Sequence, residues 1–317
     1  MMRIQWFELA GRTGYMLAAG VLIPTYRLSD TEIVLVDSGS QREPDLVPFL
    51  REKGVRVAAV LQTHLHYDHI ANNKLLEDAF GTKFYASESE IRGELSPAHR
   101  SLIGPSYYDA VSAKTAFSFD FALTPIPEGS RTIEIEGTSF AIEDLCGHSS
   151  GHIGFGTPDS VLCIGDTLLS PALVRFAKLP YFEFPELAIR SMNALLPTRY
   201  RYYALAHQEI IEARDLPGLV HRNIAVQDRL DLDILELINE PVELEELVDS
   251  VIYGMDIHVR SRQMYLALYY AVLRRAEHMI RKGMLGVKPM NGIILLSKAP
   301  AYETSSRSFS SKPFRYS

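Results

Sequence analysis

Cysteine is scarce in this chain of 317 residues: there are two, Cys146 and Cys163. Two thiols cannot staple a fold of this size, so nothing here calls for an oxidising compartment. Long apolar runs are missing as well. No stretch reaches the ~18 residues that mark a membrane-spanning helix. The segment Met1 to Ala10 lacks the basic start and the cleavage site of a secretory signal. These absences set the expectation of a cytoplasmic protein with no membrane contact. An excess of positive charge is also lacking, the formal net charge being −7. Residues 222–317 hold 13 Lys/Arg against 12 Asp/Glu, which leaves 19 basic and 27 acidic side chains in 1–221. An acidic main part does not by itself favour a phosphate backbone.

What is present is the composition of a folded globule. Hydrophobic residues make up 47% of the chain, enough to offset chain entropy by burial, which excludes a disordered or fibrous protein. The length suggests one large domain and a smaller one. Strands are expected over Tyr15 to Pro24 and Glu32 to Val36, the second ending in the turn Asp37-Ser38-Gly39. A helix over Leu46 to Gly54, a fully apolar strand over Val55 to Gln62, a helix over Ala71 to Phe80 and a strand over Lys83 to Ala86 follow. This alternation argues for a layered α/β domain.

Residues 87–130 break the pattern with Pro97, Pro105, Pro125 and Pro127 among the aromatics Tyr107, Tyr108, Phe117, Phe119 and Phe121. A lid over a functional site and a decoration shielding the sheet edge fit this segment equally well. Its aromatics would also serve a homodimer. Strands return over Thr132–Glu136, Ser139–Leu145, Val161–Ile164 and Arg201–Leu205, with a helix over Pro185–Leu196. Composition shifts after Gly218. The reading is therefore a main domain over 1–218, and a module over 219–299 with helices at 222–238, 243–251 and 261–282. A hairpin at 285–298 turns on Asn291-Gly292, completing a winged-helix-like unit. Residues 300–317, with six serines and no periodicity, read as a disordered tail.

The sharpest chemical signal is Thr63-His64-Leu65-His66-Tyr67-Asp68-His69, between the apolar strand and the following helix. Imidazole and carboxylate are the usual nitrogen and oxygen ligands of zinc. Residues two apart in an extended segment point the same way, so His64 and His66 can grip one ion. Asp68 and His69, at the helix start, can face a second.

Thr-His-x-His-x-Asp-His after a buried strand resembles the signature of the metallo-β-lactamase superfamily. Later segments resemble its other motifs in order: Gly147-His148-Ser149-Ser150-Gly151-His152, Gly165-Asp166, His207, and the early turn at Asp37. The resemblance spans 33–207 and implies a four-layer αββα fold. It implies His148 as the third ligand of the first metal, Asp166 as a bridge between metals and His207 as the last ligand. Asp37 would stand behind the ligands. His152 would make a structural hydrogen bond. Asp68 carries a catalytic assignment besides its ligand role. Two zinc ions are the expected cofactors, with iron or manganese as alternatives. His148, Asp166 and His207 each lie where an expected strand ends, which is where α/β folds gather ligands.

This chain departs from the motifs at Ala206 and Gln208, where glycine is usual, and at Ser149-Ser150, where Thr-Pro is common. The basic residues by which glyoxalase II enzymes hold glutathione have no counterpart placed here. The reading is a binuclear zinc hydrolase in which metal-activated water attacks the carbonyl of a small ester, thioester or lactone. Two alternatives stand beside it: a metal-dependent ribonuclease or phosphodiesterase with the C-terminal module on RNA, and a nucleic-acid-binding regulator with a metal-sensing domain. Both rest on the basic stripe of Arg274, Arg275, His278, Arg281 and Lys282, which packing or dimerisation explains more simply. Cys146 and Cys163 read as packing residues, and His99, His258 and His278 as surface or packing groups. Tyr107, Tyr108 and Tyr181 are pocket candidates.

Overall fold

The computed structural model describes residues 4–18, 21–39, 44–95, 121–207 and 209–303. Two sheets form the centre. The first has seven strands in sequential order: β1 (Gln5–Ala10), β2 (Thr13–Ala18), β3 (Val21–Arg27), β4 (Glu32–Val36), β5 (Arg56–Leu61), β6 (Lys83–Ser87) and β7 (Leu123–Ile126). Strands β1 to β4 are antiparallel neighbours, whereas β4 to β7 run parallel. Six strands make the second: β8 (Thr132–Ile135), β9 (Thr138–Asp144), β10 (Ile153–Gly156), β11 (Val161–Gly165), β12 (Tyr202–Leu205) and β13 (Glu209–Glu212). Their order is β13-β12-β11-β10-β9-β8, with only β11 and β12 parallel.

The apolar pattern explains the layers. In β4, Val34 and Val36 join a core shared with Phe140, Phe155, Val161 and Cys163 of the second sheet, while Ile33 and Leu35 face the opposite way. Those two pack with Leu46 and Leu50 of α1 (Leu46–Glu52) and Leu76 of α3 (Asn73–Phe80). On the far side, Leu162 and Ile164 of β11 pack with Ala188 and Met192 of α6 (Pro185–Ala194). A strand apolar on both faces must be covered on both, so the sheets stack with helices outside, giving α/β/β/α.

Two expected boundaries move. The helix expected from Ala71 starts earlier as a separate turn, α2 (Tyr67–Ile70), so Asp68 and His69 are helical. The helix expected from 222 is α7 (Leu216–Leu237), which runs across position 218; Pro217 sits in its first turn, where a missing N–H costs nothing. The described parts of the segment 87–130 include a helix and a strand. Helix α4 (Glu88–Leu95) follows β6, and β7 pairs with β6 at the sheet edge. The short helix α5 (Pro171–Phe176) lies after β11. Pro125 in a four-residue strand hid β7 from the sequence pattern, and an edge is where a strand tolerates proline. Residues 96–120, with Tyr107 and Tyr108, and residues 304–317 of the expected tail lie outside the described residues.

After α7 come α8 (Leu244–Gly254), α9 (Arg262–Arg281) and the hairpin β14 (Leu285–Met290) and β15 (Ile293–Lys298), around a core of their own. Among the described residues no helix is long and apolar enough to cross a membrane.

Candidate metal centre

Strands β4 and β5 are parallel, as are β11 and β12, so within each pair the C-terminal ends share one edge. The chain brings Asp37 there after β4, the 63–69 loop after β5, Asp166 after β11 and His207 after β12. The loop 145–152 joins them between the antiparallel strands β9 and β10. Two cross-links align the sheets at this edge: the Ile153 N–H donates to the Thr63 carbonyl at 3.0 Å, and the Leu22 N–H donates to that of Ala206 at 2.8 Å. Gly165 sets the turn into Asp166, with φ +50°, and a Cβ there would stand 2.6 Å from both His152 Nε2 and Thr63 Oγ1.

All seven expected ligands converge. His64, His66 and His148 form one group, and Asp68, His69 and His207 another, each with its ligating atoms within 4.8 Å of one another. Asp166 lies between them. Its Oδ2 is 3.5 Å from His148 Nε2, 3.6 Å from His69 Nε2 and 3.2 Å from His207 Nε2. Asp68 Oδ2 is 3.9 Å from both His69 Nε2 and His207 Nε2.

Around this ring the other nitrogens are held from behind. His69 Nδ1 meets Asp37 Oδ2 at 2.9 Å, and the same carboxylate accepts from the Thr63 N–H at 2.8 Å and the Thr63 hydroxyl at 2.7 Å. His148 Nδ1 donates to the Tyr181 carbonyl at 3.2 Å, which turns its Nε2 inward. His152 is not in either group: its Nε2 accepts the Asp166 N–H at 3.1 Å and holds that backbone in place. Locking one ring nitrogen to leave the other as a ligand is the usual support of metal-binding histidine.

The electrostatics divide the cluster. Burial, reinforced by neighbouring imidazoles, holds His64 and His66 well below the ordinary histidine value, and burial also lowers His148. Burial would lower His69 too, but Asp166, Asp37 and Asp68 carry it well above. His207 is raised by Asp166. Asp166 is held well below the carboxylate range by His207 and His69, against the upward push of burial. The histidines of the first group are thus neutral and ready to ligate.

A metal fits these residues on one direct observation. His64 Nε2, His69 Nε2 and Asp166 Oδ1 are buried and have no hydrogen-bond partner in the protein. Orphaned polar atoms of this kind are costly, and three in one cluster of nitrogen and oxygen donors match the needs of a divalent cation.

Sequence reading missed three residues that hold the site. Glu90, in the first turn of α4, is fully buried and accepts from the Leu65 N–H at 3.0 Å, the Ser149 hydroxyl at 2.8 Å and the Gly151 N–H at 2.8 Å. Burial raises its pKa and these donors oppose the rise. Glu183 packs beside the same loop, its own N–H donating to the His148 carbonyl at 3.2 Å. Burial and the nearby Glu90 push the Glu183 carboxyl up to about 7. Arg274, from α9, lies 3.9 Å from it. In sequence Glu90 looks like any acid at a solvated helix start, and nothing local marks its burial.

The basic stripe of α9 divides between buried and exposed residues. Arg275 and His278 are buried, Lys282 donates to Asp231 at 2.8 Å, and Arg281 lies 3.9 Å from Glu186. Both cysteines are free; Cys163 is core, and burial with Asp144 pushes the Cys146 thiol up to about 11.

Residues 21–207 match the model of the metallo-beta-lactamase superfamily. The chain is 31% identical over 185 residues to a probable metallo-hydrolase of Streptococcus pyogenes, covering 56% of this chain and 75% of that one. It is 30% identical over 146 residues to a hydroxyacylglutathione hydrolase of Prochlorococcus marinus, covering 45% of this chain and only 48% of that protein. In three dimensions it resembles a metallo-beta-lactamase family protein of Thermus thermophilus, with a TM-score of 0.66 at 18% identity over 93% of this chain and 98% of that one. A match of that breadth extends past residue 207 into the C-terminal helices. Taken with the layered sheets and the convergent His/Asp edge, the match over 21–207 shows that this chain belongs to the metallo-β-lactamase superfamily.

Proposed function

We propose that this chain, a metal-dependent hydrolase by its family, works with two zinc ions on a small ester, thioester or lactone. One ion is assigned to His64, His66 and His148 and the other to Asp68, His69 and His207, with Asp166, whose Oδ2 lies near histidines of both sets, shared. The observation that carries this reading is the convergence of unpartnered His64 Nε2, His69 Nε2 and Asp166 Oδ1. Bound cations would supply an acidified water and an electrostatic hold on a developing oxyanion.

The chain's own groups have separate tasks. Asp37 and the Tyr181 carbonyl fix the tautomers of His69 and His148, and His152 orients the Asp166 backbone. Asp68, with 32% of its side chain exposed, is the site carboxylate most open to water and takes the proton released as the nucleophile forms. The Tyr181 ring, 5.8 Å from that of His66, borders the reacting region and is placed to contact substrate. Free thiols agree with a cytoplasmic setting. In the stripe of α9, Arg275 and His278 are buried, and the exposed Arg281 and Lys282 already stand beside Glu186 and Asp231, which weakens the case for an RNA contact, so the carbonyl substrates are preferred.

Chelator-treated protein should be inactive on a panel of aryl esters, acyl thioesters and lactones, and Zn2+ should restore turnover of at least one. Hydrolysis that survives complete metal removal would overturn the reading. So would cleavage of phosphodiesters alone.

A further inference from the structure

We infer that Glu90 is a positioning residue that holds the two ligand-bearing loops of the metal centre in register. This rests on the metal reading given above. The loops come from different sheets: 63–69 follows β5, and 145–152 joins β9 to β10. Glu90 meets both. Its Oε1 accepts the N–H of Leu65, which sits between His64 and His66. Its Oε2 accepts the hydroxyl of Ser149, next to His148, and the N–H of Gly151, next to His152. One side chain therefore touches the immediate neighbours of three metal ligands and of the histidine that orients Asp166.

The chemistry asks for a carboxylate. Two backbone N–H groups and a hydroxyl converge on one buried point, and an ionised carboxylate is an acceptor at both oxygens. A glutamine has nearly the same shape, but its NH2 would confront at least one N–H that has nowhere else to turn. Space is equally tight, since a Cβ at Gly151 would collide with the Glu90 backbone. Position on α4 helps as well, because the first turn of a helix favours negative charge. A stability role alone would be met by a buried contact anywhere between the sheets. Thr13 makes one, its hydroxyl 2.9 Å from that of Thr157, remote from the ligand loops.

The test measures metal binding in folded protein rather than turnover. Full-length parent, E90Q, S149A and T13V are stripped of metal and titrated with Zn2+ against a competing chromophoric chelator; Co2+ forms give visible spectra. Outer partners of metal ligands typically contribute about 10- to 100-fold in affinity, and E90Q should weaken Zn2+ binding within that range and shift the Co2+ bands. S149A, which removes one of three contacts, should show a smaller loss in the same direction. T13V should bind as the parent does. A folded E90Q with the parent's affinity and Co2+ spectrum would overturn the inference, whatever its melting temperature. Should E90Q fail to fold, S149A decides: weakened binding supports the positioning role and unchanged binding refutes it. A parent protein that binds no Zn2+ would instead sink the metal reading on which this rests.

Discussion

Buried charge gathers both at the edge of the sheets and in the C-terminal module, and the two clusters differ. In the second, Asp231 accepts from Arg275 at 3.1 Å and from Lys282 at 2.8 Å, Arg275 also bonds Gln227, and the His278 ring lies 3.6 Å away. One carboxylate meets two permanent cations there. At the sheet edge, Asp166 meets only imidazoles, and one nitrogen each of His64 and His69 and one oxygen of Asp166 have no hydrogen-bond partner; around Asp231 the atoms without one are both ring nitrogens of His278 and Gln227 Nε2, and neither oxygen of Asp231 is among them. Both clusters are buried and rich in charge, and burial alone would mark either as functional. What separates them is the carboxylate: both oxygens of Asp231 meet Arg275 or Lys282, whereas Asp166 faces imidazoles alone and leaves Oδ1 without a partner, an arrangement that a bound cation would complete.

Substitutions can break that contrast. The largest effect is expected for Asp166→Ala, because it removes the carboxylate that lies against histidines of both groups and is proposed to be shared between the two ions. Metal affinity should fall by more than the about 100-fold that loss of an outer partner brings, and hydrolysis should vanish with it. Metal content and turnover of the folded variant check this. Asp231→Ala should cost about 3–5 kcal/mol of stability, the usual effect of stranding a buried charge, and leave metal content unchanged. Denaturant unfolding beside metal analysis separates the two outcomes. Asp37→Asn should weaken binding by about 10- to 100-fold, through His69 and through Thr63 beside His64. Competition with a chelator reads that loss.

Acid sharpens the contrast within the metal cluster. Metal and proton compete for imidazole, so affinity falls as pH drops through each histidine's own pKa. Raised values at His69 and His207 place that loss at higher pH than the lowered values at His64, His66 and His148. The ion assigned to Asp68, His69 and His207 should therefore leave first as pH falls, with the other persisting. Stepwise Co2+ release on acid titration would show this; simultaneous release would contradict it. The smallest effect is expected where the two regions meet. Arg274→Met loosens Glu183, and through it the stretch of chain that carries the Tyr181 carbonyl to His148. The pair is long, at 3.9 Å, and a Glu183 carboxyl already pushed up to about 7 can take a proton when Arg274 is lost, so Zn2+ affinity should fall by only a few-fold.

The metal residues were legible because His64, His66, Asp68 and His69 are packed into one short run, and because His148, Asp166 and His207 sit at strand ends. Alternation and uninterrupted apolar runs likewise exposed β4, β5 and β11. Glu90, Glu183 and Arg274 were not legible, since each acts across a long chain separation and carries no local sign of burial. The start of α7 was obscured by Pro217 and Gly218, which read as breakers although the first turn of a helix accepts both. Similarly, the basic stripe on α9 was visible as a stripe, but not which of its members are buried. That depends on Asp231 lying on the helix opposite.

The central claim is that the sheet edge holds two cations which the protein's own charges do not replace. Anomalous diffraction at the zinc edge, from crystals of protein loaded with Zn2+, tests it most directly. Two peaks are expected on either side of Asp166, one among His64, His66 and His148 and one among Asp68, His69 and His207. No peak at these residues, or density for zinc only elsewhere on the chain, would contradict the account.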